Sequence, residues 1–276
     1  MFDPKKKLKR AENSQNFLKN PSQGKYLVDL VGINENDDVL EIGPGSGILT
    51  ESLLKKASRV IAVEKDTELV EILNNKLGTD PKLRIIQADI LTYKIELKNY
   101  KVFTNPPFSI SSSLIKKLVF IPNPASEIYV FLQKEFAYRL TGRHFNTQLS
   151  ALVKALYSVS VVYEFKREDF APVPGVDVVL VQLKKLEKIR IKPENQAMFI
   201  KFVAFGFQVQ KSYLQKSLEK IFTYDQWKKL SKDLKFDLKS KSGELSHQQW
   251  IGLFEVFISP LVAANKRGVV DGVRLD

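Results

Sequence analysis

Cysteine is absent from this 276-residue chain, and histidine occurs only at His144 and His247. Without a thiol there is no disulfide framework, no thiolate metal site and no covalent thiolate attack of the kind that activates a pyrimidine ring. Two isolated histidines without ligand-spaced neighbours leave no metal motif. No run approaches the ~18–20 consecutive apolar residues of a membrane span. The opening segment, Met1-Phe-Asp-Pro-Lys-Lys-Lys-Leu-Lys-Arg10, has charges with no apolar stretch behind them, so it is not a secretory signal. A cytoplasmic protein with no membrane partner and no metal is expected.

What is present is positive charge. The formal net charge is +12, on a background of 44% hydrophobic and 27% charged residues that fits a folded globular chain rather than a disordered one. Residues 1–10 carry five basic groups and one acidic, and residues 188–241 carry thirteen basic and five acidic. The charge is therefore gathered at an N-terminal arm and in the C-terminal third. A polyanion is the natural partner for such a distribution, although a solvated surface chosen for solubility has the same composition.

Apolar periodicity organises the chain. A helix is expected over 21–32. Short apolar runs at 38–42, 59–63, 83–87, 102–104 and 127–132 then alternate with amphipathic helical segments at 48–56, 67–77, 112–120, 134–140 and 148–157. That rhythm predicts parallel strands joined by right-handed crossovers, with helices on both faces. Between the extended runs 159–165 and 176–183 lies only the turn-rich Phe170-Ala-Pro-Val-Pro-Gly175, so a hairpin should close one edge and supply an antiparallel strand. The expected fold is α/β: a Rossmann-like, mostly parallel sheet over 1–186, then a small α-helical domain over 187–262 with helices at 197–207, 212–221, 224–234 and 246–257. The final stretch, 263–276, reads as a poorly ordered tail.

In an open α/β sheet, ligands bind beyond the carboxyl ends of the strands. The first strand ends in Val39-Leu-Glu-Ile-Gly-Pro-Gly-Ser-Gly47, where Gly43 and Gly45 let backbone amides approach a ligand closely. Such a turn alone also serves as a plain strand-to-helix connection. Glu64 closes the second strand 21 positions after Gly43, where a carboxylate can accept hydrogen bonds from ribose hydroxyls. Asp89 closes the third strand in Ala88-Asp-Ile90 and can meet the edge of an adenine. Asn105-Pro-Pro-Phe108 closes the fourth. Its amide oxygen and the Pro106 carbonyl can accept both N–H bonds of an exocyclic amine, two prolines fix the backbone beforehand, and Phe108 can stack on a base. The residual task is alignment of that amine for in-line attack on a methyl group. Taken together, the two halves suggest methyl transfer from S-adenosylmethionine to an adenine N6.

On these motifs the chain resembles the ribosomal RNA adenine N6-methyltransferases, the Erm and KsgA branches, over roughly residues 10–260. Ser14-Gln-Asn-Phe-Leu18, Glu41-Ile-Gly-Pro-Gly45, Glu64, Ala88-Asp-Ile90, Asn105-Pro-Pro-Phe108 and Phe170-Ala-Pro-Val-Pro174 carry the likeness. The resemblance implies S-adenosylmethionine as methyl donor, held by Asn16, Leu18, Gly43, Gly45, Glu64, Asp89, Ile90 and Asn105. It places Asn105, Pro106, Phe108 and Phe170 around a flipped adenine. The arm residues Lys5, Lys6, Lys7, Lys9 and Arg10 are expected to hold RNA, by a protein needing no second copy of itself. The family usually has Asn-Leu-Pro-Tyr or Asn-Ile-Pro-Tyr where this chain has Asn-Pro-Pro-Phe, a tetrapeptide shared with DNA adenine methyltransferases. Ser14-Gln-Asn-Phe17, the 127–140 region and Gln249-Trp-Ile-Gly-Leu-Phe254 look like Erm, which implies one 23S rRNA adenine and macrolide, lincosamide and streptogramin resistance. The rivals are KsgA-type dimethylation of adjacent 16S adenines, a non-catalytic RNA-binding factor on the same scaffold and, from the Asn-Pro-Pro-Phe tetrapeptide, a DNA adenine methyltransferase.

Overall fold

A computed structural model gives the fold and describes residues 16–143, 145–208, 213–262, 266 and 268–273. The arm residues Lys5, Lys6, Lys7, Lys9 and Arg10, and His144, lie outside that set. The chain divides into two units, 1–137 with 159–185, and 138–158 with 186–276.

The first unit is built on a sheet ordered β4-β3-β2-β5-β6-β9-β7. Strands β2 (Asp38–Ile42), β3 (Arg59–Glu64), β4 (Leu83–Gln87), β5 (Tyr100–Thr104) and β6 (Glu127–Gln133) pair in parallel. Apart from the edge strand β4, they are mostly buried, which is why they read as unbroken apolar runs rather than alternating ones. The hairpin of β7 (Tyr157–Glu164) and β9 (Val178–Lys185) closes the opposite edge. Its inner member, β9, is the strand that runs against its neighbour, β6, and β7 takes the outermost place. Strand β2 has β3 on one side and β5 on the other, so the order reverses there and opens a crevice beyond its carboxyl end.

Helices α1 (Pro21–Leu30), α2 (Ile48–Leu54), α3 (Thr67–Leu77) and α4 (Ser111–Val119) connect the strands, and α5 (Lys134–Thr141) follows β6. Asn20 caps α1 through Ser22 N–H, with proline at the first turn, and Asp66 caps α3 through the Glu68 and Leu69 amides. A second, two-stranded sheet has no counterpart in the periodicity: β1 (Phe17–Leu18) pairs antiparallel with β8 (Phe170–Ala171). Two residues per strand are too few to show alternation.

In the second unit, α6 (Gln148–Lys154) packs on α7 (Gln196–Phe207) and α10 (His247–Ile258). This contact draws 138–158 into the helical unit, although their place in the chain puts them among the strands. Two further helices are α8 (Leu214–Leu218), shorter than expected, and α9 (Tyr224–Leu234). Reciprocal capping boxes start α6 (Thr147, Ser150), α9 (Thr223, Gln226) and α10 (Ser246, Gln249). The core is aromatic: Phe202 stacks on Phe257 at 4.8 Å and Phe199 meets Phe254 edge-on at 5.1 Å. The expected loose tail needs correction within 268–273. Val270 is fully buried and Asp271 pairs with Lys201 at 2.8 Å, so apolar burial and an ion pair secure this stretch. Among the described residues no helix is long and apolar enough to cross a membrane.

Candidate active site at the strand ends

Strand β2 stops at Ile42 and the chain turns through Gly43, Gly45 and Gly47 with φ of +67°, +57° and +82°. Side chains rarely tolerate that region, and the turn needs it three times within five residues. Gly43 N–H donates to the Val63 carbonyl and Gly47 N–H to the Pro44 carbonyl, each at 3.0 Å, before α2 begins. The Phe17 ring crowds Gly45, where an added Cβ would stand 2.4 Å from it.

Glu64, at the end of β3, is buried and turned toward this turn. Its Oε1 accepts from the Lys65 and Asp66 amides at 2.8 and 3.0 Å, and its Oε2 accepts from Gly45 N–H at 3.4 Å. Burial raises its pKa above the usual carboxylate value, and the three amides pull the other way. A carboxylate has about four acceptor positions, so capacity is left for a ribose hydroxyl. Asp89 is the opposite case. Lys65 Nζ pairs with its Oδ2 at 2.9 Å, the Leu91 amide donates to its Oδ1 at 2.9 Å, and its pKa is lowered. The Lys65 side chain is 75% exposed, so this pair contributes little to stability.

Beneath the turn, Glu41 is 1% exposed and neither carboxyl oxygen has a hydrogen-bond partner. Burial pushes its pKa to about 8. The nearby Thr50 hydroxyl moderates the rise without reaching hydrogen-bonding geometry, and Glu64 adds to it by like-charge repulsion. Burial thus favours the protonated form of this acid.

At the end of β5, Asn105 Nδ2 donates to the Asn16 carbonyl at 2.8 Å. That bond fixes which end of the amide is which and leaves Oδ1 as the acceptor for a ligand. Pro106 is buried beside it, and Phe108 is half-buried at the head of a 3-10 turn, Phe108–Ile110.

These strand ends enclose a cavity of about 400 Å³, inside the range of small-molecule sites. Of the residues expected to hold a cofactor, Asn16, Gly43, Glu64, Asp89, Ile90 and Asn105 line it. Leu18 and Gly45 do not. Leu18 is 5% exposed and its side chain belongs to the hydrophobic core, while Gly45 stands behind Phe17. Of the groups expected around the adenine, Asn105 lines the cavity, and Pro106, Phe108 and Phe170 do not. The Phe170 ring is 0% exposed and packs edge-on to Phe131 and Phe165 at 6.2 and 5.1 Å. It is an interior residue here, because the β1–β8 pairing holds it against the core. Phe17, Lys65, Leu91, Pro107 and Ser109 also line the cavity without having been singled out. Phe17 was readable in principle, since Leu18 and Phe17 must face opposite ways if the segment is a strand.

The cavity brings together two carboxylates, Glu64 and Asp89, the Asn105 amide and the Gly43 backbone, a polar set of the kind that a nucleoside with a charged tail requires. Comparison with known proteins agrees. The family model for Ribosomal RNA adenine dimethylase matches residues 6–259. The chain belongs to the ribosomal RNA adenine dimethylase family. An rRNA adenine N-6-methyltransferase of Lysinibacillus sphaericus is 32% identical over 248 residues, 89% of this chain and 96% of that protein. Ribosomal RNA small subunit methyltransferase A of Nostoc punctiforme is 31% identical over 252 residues, 85% of this chain and 87% of that one. The crystal structure of the 23S rRNA methyltransferase ErmE superposes with a TM-score of 0.77 at 23% identity, covering 88% of this chain and 100% of ErmE, which shows the shared fold. The chain is thus an rRNA adenine N6-methyltransferase that uses S-adenosylmethionine.

Proposed function

We propose that the enzyme methylates N6 of one adenine in 23S rRNA and so confers macrolide, lincosamide and streptogramin resistance. The observation that carries the chemical part is the Asn105–Asn16 bond, which presents the Asn105 amide oxygen as a ready-made acceptor. The adenine amine is a poor nucleophile because its lone pair is delocalised into the ring. Asn105 Oδ1 and the Pro106 carbonyl accept its two N–H bonds, draw the nitrogen toward tetrahedral geometry and align its lone pair. Phe108 supplies a stacking face for the extruded base. Glu64 anchors the ribose of the methyl donor, Asp89 its adenine, and the Gly43 turn leaves room for its amino-acid end. When bound, S-adenosylmethionine supplies an electrophilic methyl group on a sulfonium.

RNA contacts are assigned to the basic arm, Lys5, Lys6, Lys7, Lys9 and Arg10, and to the helical unit, the enzyme acting as a monomer. On α9 the buried residues are Trp227, Leu230 and Ser231. On its exposed face Lys228, Lys229 and Lys232 outnumber Asp225 and Asp233. That basic excess suits a phosphate backbone.

The 23S assignment draws on the Erm-like motifs and the rRNA adenine N-6-methyltransferase relatives; the Nostoc relative keeps 16S rRNA as the competing substrate. Labelled S-adenosylmethionine with protein-free 23S and 16S rRNA, followed by primer extension, separates them. A single modified 23S adenine is expected. Label on 16S rRNA or small-subunit particles alone would overturn the 23S assignment.

A further inference from the structure

Strand geometry sends the two side chains of β1 to opposite sides. Leu18 enters the hydrophobic core, and Phe17 turns to the cavity. The ring edge carrying Cδ1 and Cε1 abuts Gly45, so that a Cβ there would stand 2.6 and 2.4 Å from those atoms. Among the described residues Phe17 stacks on no other ring and is the aromatic side chain lining the cavity. Phe170, on the paired strand, is by contrast wholly absorbed by the core.

Two bonds locate Phe17 relative to the reaction. Gly45, against which the ring edge rests, donates its N–H to Glu64 Oε2 at 3.4 Å, so the ring stands at the ribose anchor. Asn16, the preceding residue, holds the Asn105 side chain through its carbonyl at 2.8 Å, so the same ring stands at the amine-receiving residue. Phe17 therefore lies between the group that fixes the ribose and the group that fixes the methyl acceptor. In S-adenosylmethionine one atom joins the ribose carbon to the transferable methyl, and that atom is the positively charged sulfur.

We propose that the Phe17 ring is the wall facing the sulfonium, and that it favours the cationic methyl donor over the neutral thioether product. The inference rests on the cofactor reading of the cavity. A ring face carries negative electrostatic potential and attracts a weakly hydrated onium ion, most strongly where water is displaced. A thioether has no such charge. The same contact would hold the donor before transfer and loosen the product after it, a discrimination that Glu64 and Asp89 cannot make, because ribose and adenine are identical in the two ligands. Fixing the ring between Gly45 and the β1–β8 pairing keeps its direction constant through that change.

The test is calorimetric titration of the full chain with S-adenosylmethionine, S-adenosylhomocysteine and sinefungin, which carries an amine in place of the sulfonium. Phe17→Leu keeps an apolar wall without the ring. It is expected to lower the affinity for S-adenosylmethionine relative to S-adenosylhomocysteine by about threefold to thirtyfold, with sinefungin following the cationic ligand. Phe17→Tyr, which keeps the ring, should retain the wild-type ratio and guards against misreading a folding defect. Equal losses for all three ligands in Phe17→Leu, or no loss, would overturn the proposal while leaving the cofactor site intact. Failure of the wild-type chain to bind any of the three would instead remove the cofactor reading, and the inference with it.

Discussion

The two units bury different kinds of polar group. Among the described residues the helical unit buries only serines, Ser150, Ser217, Ser231, Ser240 and Ser242, beneath an aromatic core. The sheet unit buries two carboxylic acids, Glu41 and Glu64, next to a turn of left-handed glycines. Burying an ionisable group is unfavourable unless it is fully hydrogen-bonded, and neither oxygen of the Glu41 carboxyl has a hydrogen-bond partner. A fold keeps such a group where ligand binding requires it, so the contrast marks where the chemistry is. The helical unit has the features of a part selected for stability inside and positive charge outside.

Each prediction breaks or sharpens that contrast, and the largest effect belongs to the sheet unit. Asn105→Ala should lower turnover by about 10²–10³-fold, with cofactor affinity within a few-fold of wild type, by single-turnover methylation and calorimetry. Unchanged turnover would mean that Asn105 does not hold the amine. Gly45→Ala places a methyl 2.4 Å from the Phe17 ring at a φ of +57°. Strain and displacement together should weaken S-adenosylmethionine binding by roughly tenfold or more and lower the melting midpoint.

Glu41 gives a pH signature. Its pKa in the fold is about 8 against 4.5 for the free side chain. The stabilising contribution is therefore complete below pH 4.5 and is lost as the pH rises through 8, since the folded state must then hold an unpaired buried charge. Glu41→Gln cannot ionise. Melted side by side without ligand, it should lose less stability than wild type between pH 5 and 8, roughly 2–4 °C for each kcal/mol recovered. Parallel curves would show that Glu41 is not the buried acid responsible.

The smallest effect tests the helical unit. Lys228→Gln with Lys232→Gln should leave turnover at saturating RNA unchanged, and reduce the slope of log affinity against log salt by about 1.4, or 0.7 for each phosphate on single-stranded RNA. An unaltered slope would make the exposed face of α9 a solvated surface, and the helical unit a purely structural one.

Much of the sheet unit was legible because its strands are buried and its ligand groups fall at strand ends. The runs at 38–42, 59–63 and 83–87 match β2, β3 and β4 closely, and Gly43, Glu64, Asp89 and Asn105 meet at one cavity. What stayed hidden depends on pairings far apart in sequence. The β1–β8 ladder joins residues 17–18 to 170–171, and it alone decides that Phe17 faces the cavity while Leu18 and Phe170 go inward. The placing of 138–158 with the C-terminal helices follows from α6 packing on α7 and α10, which no local periodicity encodes. Glu41 reads in sequence as one letter of a glycine motif; its isolation emerges only from the packing around it.

The central claim is that the cavity at the sheet's carboxyl edge holds S-adenosylmethionine with Glu64 as the ribose anchor. Calorimetric titration of the donor into wild type and Glu64→Gln tests it directly. The wild type should bind one equivalent, and the isosteric amide, which loses the charge-assisted hydrogen bonds to ribose, should bind roughly tenfold to a hundredfold more weakly. Equal affinities in the two proteins, or no binding to the wild type, would contradict the account.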